Sequence, residues 1–98
     1  MTDKIIAPYA QAAAQIAKDG TLERAKGITS VQRTEPGRYT IKLEPHINAL
    51  QSAPQATLNK AADWQSEIYV SVLDAFTIVV LTGVKGTATD EPFYFLLP

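Results

Sequence analysis

The stretch IYVSVLDAFTIVVLT, residues 68–82, decides the fold. With FYFLL at residues 93–97, it holds the sustained runs of β-branched and aromatic residues in a 98-residue chain that is 46% apolar. Residues of these kinds suit pleated, half-buried surfaces, so the core has to be built on them. Ile68, Val70 and Val72 alternate with Tyr69, Ser71 and Leu73, the period-two pattern of a strand. Asp74-Ala75 then makes a turn or bulge. Phe76, Ile78 and Val80 oppose Val79 and Leu81, so the second half is apolar on both sides and predicts a central strand covered on each face. FYFLL predicts a closing strand of the same two-faced kind.

Working outward, residues 28–43 read as a β-hairpin: ITSVQRT and RYTIKL flank the breaker EPG, with Pro36 and Gly37 forming the turn. Tyr39, Ile41 and Leu43 share a face. For Val31 to join them, the loop must hold an odd number of residues, either 35–37 or 36–38. Residues 9–18, YAQAAAQIAK, leave two readings open. Alanine and glutamine favour a helix stopped at Asp19-Gly20. Alternatively, Asp19-Gly20 is a type I′ turn that pairs residues 15–18 with 21–24.

Residues 44–54 carry Pro45, Asn48, Ser52 and Pro54 and predict a connection with one helical turn around Ile47 to Leu50. Residues 55–60 alternate as a half-buried strand, 61–66 form a polar bend around Trp64, and 83–92 form a turn-rich loop. The sum is an all-β protein: an antiparallel β-sandwich or jelly-roll-like barrel of about seven strands. An extended N-terminal arm at residues 1–8 precedes a single domain at 9–98.

Composition narrows the functions. Nine basic and ten acidic residues give a net charge of −1 without blocks, which disfavours nucleic acid and anionic membranes as partners. No cysteine is present, so disulfides and thiolate metal sites are excluded. MTDKIIAPYAQ lacks a signal-peptide apolar region, and the apolar run at 75–81 is far short of the roughly 20 residues that span a bilayer.

No residue set encodes a catalytic chemistry. His46 is the single histidine and reads as a surface-loop residue, since Glu44 beside it makes neither a triad nor a metal site. Asp90 and Glu91 beside Asp74 or Glu67 are an acid pair only if the fold unites them; turn formation is the plainer reading. Lys85-Gly86-Thr87 lacks the spacing of a phosphate-binding loop. Arg24, Arg33 and Arg38 read as charge protecting a hairpin edge. Tyr9, Tyr39, Trp64, Tyr69 and Tyr94 offer stacking or docking surfaces, with Trp64 in its polar bend the one assigned to a surface contact.

AKDGTL, GITSVQRTEPGRYTIKL, IYVSVLDAFTIVVLT and DEPFYFLL together resemble a family of small β-sandwich domains in bacteriophage virion proteins, of the tail-fibre and head or tail decoration type. The resemblance covers roughly residues 10–97 and is carried by turn and strand residues: Gly27, Ile28, Ser30, Val31, Arg33, Thr34, Gly37, Tyr39, Thr40 and Ile41, then Asp90, Pro92, Phe93 and Phe95. Residues 44–66 match nothing in the family pattern. The family has no catalytic residues to transfer.

The resemblance implies a structural virion protein, not an enzyme and without cofactors. It would be made in the host cytoplasm and act as a capsid decoration or cement protein, or as a tail-appendage subunit. Such a protein oligomerises, most simply as a trimer, and docks on other virion subunits. A chain running from Met1 to a closing strand favours the free-standing decoration role. Expected contacts are Ile5 and Ile6 of the arm, Tyr9, Trp64 and Tyr94; expected turn formers are Gly20, Pro36 and Gly37. The alternative is a carbohydrate-binding, receptor-recognition module of a tail fibre, with Trp64 and the tyrosines stacking on sugars.

Overall fold

In the computed structural model, residues 3–5, 10–59 and 65–98 are described. They form two packed β-sheets, a β-sandwich, with one 3₁₀ turn at Ala49–Gln51 and no α-helix among the described residues. The strands are β1 (Asp3–Lys4), β2 (Ala12–Ile16), β3 (Leu22–Lys26), β4 (Ile28–Glu35), β5 (Arg38–Leu43), β6 (Gln55–Leu58), β7 (Ser66–Asp74), β8 (Thr77–Val84), β9 (Thr87–Ala88) and β10 (Phe93–Leu97). Sheet A runs β1-β3-β2-β10-β6 and sheet B runs β4-β5-β8-β7, with β9 hydrogen-bonded to the end of β8. All pairings are antiparallel except the short parallel contact of β1 with β3. The count exceeds the expected seven strands chiefly through β1 and β9, two residues each, which have no run long enough to show a period. Of the arm, Asp3 and Lys4 pair with Arg24 and Ala25; residues 6–9 lie outside the described residues.

Residues 12–16 are strand, which settles the helix-or-strand alternative. Ala12, Ala13, Ala14 and Ile16 are all buried, because β2 lies between β3 and β10 in the sheet interior. Small residues are needed there: Phe95 of β10 is flanked by Ala14 on one side and Ala56 on the other. Burying that ring is worth more than the fraction of a kcal/mol per residue, roughly 0.5, by which alanine prefers helix.

The β2–β3 connection differs from the expected two-residue turn. Ala17 N donates to Thr21 O and Gly20 N to Ala17 O, so Lys18, Asp19 and Gly20 form a three-residue loop. Gly20 alone of the three takes positive φ, at 93°, which excludes type I′. Asp19 Oδ1 closes the loop by accepting from Thr21 N at 2.9 Å.

In the β4–β5 hairpin, Val31 pairs with Ile41, on the inward face with Tyr39 and Leu43. The parity is met differently from the expected odd loop. The loop has two residues, Pro36 and Gly37, between paired Glu35 and Arg38, and the extra residue is a bulge between Arg33 and Glu35. In β7 and β8, Ile68, Val70 and Val72 point inward against Thr82, Val80 and Ile78. Phe76, expected within the strand, sits in the β7–β8 turn and is exposed.

Two glycines mark places where the chain has to pass close to itself. Gly27 (φ 72°) is the corner where the chain leaves sheet A for sheet B, and a Cβ there would lie 2.5 Å from Gln11 O and 2.8 Å from Ile47 Cδ1. Gly37 (φ 72°) is wedged under Thr82 O and Thr89 N, with its own carbonyl accepting from Thr82 N at 2.7 Å. Gly37→Ala therefore carries both left-handed strain and overlap with backbone. It is expected to cost at least about 2 kcal/mol in urea unfolding; a change below about 0.5 kcal/mol would refute this packing.

The layers meet at Tyr39 and Phe93, ring centroids 5.0 Å apart and inclined at 64°, both fully buried. The Tyr39 hydroxyl donates to Lys18 O at 2.5 Å, tying sheet B to the sheet A hairpin. Burial, reinforced by the Asp90 charge, pushes the Tyr39 phenol up to about 12 from its ordinary 10.0. The folded state thus holds this proton more tightly than the unfolded one. Stability is undiminished below pH 10 and falls as pH rises toward 12, by about 2–3 kcal/mol from this group. Unfolding midpoints measured from pH 9 to 12 should show this fall, and Tyr39→Phe should flatten it.

Candidate functional site

The two outer faces carry what the core does not use. On sheet A, cross-strand pairing sets Arg24, Gln15, Tyr94 and Thr57 in one row. Arg24 Nε donates to Gln15 Oε1 at 2.7 Å, and Nη2 donates to the same oxygen. Tyr94 is 41% exposed, its hydroxyl accepting from Asn59 Nδ2 at 3.4 Å. The neighbouring row is Lys26, Ala13, Leu96 and Gln55. Ala13 is too short to fill its place between Lys26 and Leu96. A hollow of about 290 Å³ results, bordered by Ile5, Ala13, Gln55, Thr57, Tyr94 and Leu96.

Two of the expected contact residues, Ile5 and Tyr94, thus border one hollow. Ile5 is held there by its backbone N–H, which donates to Ala25 O at 3.2 Å. Ile6, Tyr9 and Trp64 lie outside the described residues. Gly20 sits in the β2–β3 loop, and Pro36 and Gly37 form the β4–β5 turn, away from this face.

On sheet B, Arg38, Leu81 and Tyr69 form a row across β5, β8 and β7. Beside it, outward-facing Gly83 lies between Glu67 of β7 and Ala88 of β9. A side chain is missing from the pleat at Gly83, and a groove of about 370 Å³ opens over Leu81 and Gly83. Its walls are Tyr69 and Glu67 on one side and the turn 35–38 on the other, with the β8–β9 turn closing one end. That turn is type I′, with Lys85 at φ 52° and Gly86 at φ 81°. It delivers Gly86 N to Glu67 Oε1 at 2.5 Å, while the Tyr69 hydroxyl donates to Glu67 Oε2 at 2.8 Å. Both bonds favour the ionised carboxylate, the Tyr69 hydroxyl foremost, and hold Glu67 below its ordinary value. Tyr69 itself is 60% exposed.

The fold keeps Asp74 apart from Asp90. Asp90 Oδ2 accepts from Arg33 Nε at 2.6 Å and Asp90 Oδ1 from Gly37 N at 2.7 Å, a clamp between the lead into β10 and the β4–β5 turn. Asp74 caps the β7–β8 turn by accepting from Phe76 N at 2.9 Å, at the opposite end of sheet B. The three arginines also separate: Arg24 lies on sheet A, Arg33 in the clamp and Arg38 at the groove. His46 is exposed, with Nδ1 3.7 Å from Glu44 Oε2. Among the described residues no group of three or more His, Cys, Asp or Glu side chains could hold a metal ion. No helix among them is long and apolar enough to cross a membrane.

No family model, curated protein or solved structure matches this chain. The site has to be read from its own residues. Sequence reasoning missed the Arg38–Leu81–Tyr69 row. The outward direction of Tyr69 and Leu81 was available from the period of two, but their alignment depends on the registers of three strands.

The Glu67 contacts are testable by NMR titration of its carboxyl carbon. A midpoint below 4.5 is expected, and Tyr69→Phe should move it back toward that value. An unshifted midpoint in the parent protein would mean that the hydroxyl contact is not made in solution.

Proposed function

We propose that this chain is a structural building block that acts by docking: a phage virion subunit of the capsid decoration or tail-appendage kind, with other virion subunits as its partners. One observation carries the reading. Large apolar side chains gather outward on sheet A, where Tyr94 and Leu96 stand around the Ile5 hollow. Apolar side chains gathered on one outer face, unlike single scattered ones, mark a surface suited to a partner. The sequence resemblance supplies the kind of protein, and symmetric association of identical copies is the ordinary way such surfaces are covered.

The docking face assigned is that of sheet A. Light scattering at micromolar concentration is expected to give a multiple of the 10.7 kDa chain mass, a trimer in the simplest case. Leu96→Glu, at an exposed position, should return it to single-chain mass with the melting temperature within about 3 °C of the parent, since surface substitutions seldom exceed ±0.5 kcal/mol. Mass spectrometry of purified particles should detect the chain. A monomer at every concentration, together with absence from particles, would overturn the reading.

A further inference from the structure

We infer that the groove on sheet B is a binding site for a neutral saccharide, held over Leu81 between Tyr69 and Arg38. The inference does not depend on the docking reading, which uses the opposite face. Tyr69 and Arg38 stand two strand spacings apart, roughly 10 Å, with Leu81 between them. That span accommodates a hexose ring lying on the sheet. The Tyr69 hydroxyl is engaged with Glu67, so the exposed part of the residue is its ring face, the surface on which the C–H face of a sugar packs. Leu81 and Gly83 form an apolar floor without projecting atoms at Gly83.

The polar groups at the rim fit hydroxyls. Glu67 is ionised and fixed by two bonds, one to each oxygen, which leaves each oxygen able to accept again. Across the groove, the Arg38 guanidinium has no hydrogen-bond or ion-pair partner among the described residues. Its five N–H groups supply donors for ring and hydroxyl oxygens. Two acidic residues, Glu35 and Glu67, line the groove with one basic residue, Arg38, so the lining is net negative and disfavours an anionic sugar.

A peptide is disfavoured for a different reason. β8 is paired on both sides, to β7 and to β5 or β9, so the groove floor has no open strand edge to extend. Recognition there has to come from side chains, by stacking and by hydrogen bonds to hydroxyls.

The test is an NMR titration of the full chain with neutral trisaccharides of glucose, galactose and N-acetylglucosamine. At least one should shift the amides of Tyr69, Leu81, Gly83 and Gly86, with a dissociation constant between roughly 10 μM and 1 mM, as small shallow sites allow. Tyr69→Ala should weaken that binding at least about tenfold and Tyr69→Phe less than about threefold, because the ring is the platform. Arg38→Gln, at an exposed position that leaves the fold intact, should weaken it about fivefold or more; Leu50→Ala, in the exposed 3₁₀ turn, should leave it unchanged. No shift at these amides at about 10 mM of any of the three sugars, or binding that survives both Tyr69→Ala and Arg38→Gln, overturns the proposal. Oligomer mass reads the docking face separately, so either idea can fail alone.

Discussion

The edge-to-face contact of Tyr39 with Phe93 is the constraint on which the two layers depend. The rings sit 5.0 Å apart within the core, one from each sheet. A phenol can occupy that position only if its hydroxyl is satisfied, and the carbonyl of Lys18 satisfies it from the opposite layer. The same contact therefore sets the distance between the sheets and ties sheet B to the β2–β3 loop. Phe95, one ring further along β10, is accommodated by alanines on both sides, Ala14 and Ala56, whereas Phe93 stands between the larger Ile16 and Leu58.

Around that contact, one end of the sandwich is fastened by charge and close packing. Asp90 holds both Arg33 and the Gly37 N–H, joining the segment that enters β10 to the turn between β4 and β5. Gly37 in turn lies against Thr82 and Thr89. The groove is built on the outer side of this fastened end, where Gly83 leaves a gap and the β8–β9 turn fixes Glu67. A binding surface gains from such support, since side chains whose partners are already set lose less freedom on meeting a ligand.

The outer faces divide the possible roles. Sheet A presents Tyr94 and Leu96 beside a hollow to which Ile5 contributes, a broad and mildly apolar surface suited to another folded subunit. Sheet B presents an aromatic ring, a carboxylate and a guanidinium around a smaller depression. On the proposed readings, docking and saccharide binding fall on opposite faces, so neither blocks the other.

By itself the sequence determined the all-β class, because 68–73 alternates with period two and the runs 76–82 and 93–97 are dense in β-branched and aromatic residues. It also determined the direction of most side chains: Ile68, Val70 and Val72 inward, Tyr69 and Leu73 outward, and Val31 on the side of Ile41. Local composition was not enough for residues 12–16, where alanine favours helix weakly and only burial beside Phe93 and Phe95 makes the strand. Turn geometry was legible in position but not in type, since the loop of Lys18, Asp19 and Gly20 and the bulge before Pro36 depend on how the flanking strands align. Tertiary structure alone decided the strand order, the union of Ile5 with Tyr94, and the row of Arg38, Leu81 and Tyr69. Those groupings join residues tens of positions apart, and a pattern that repeats every two residues carries no information about which strand will lie beside which.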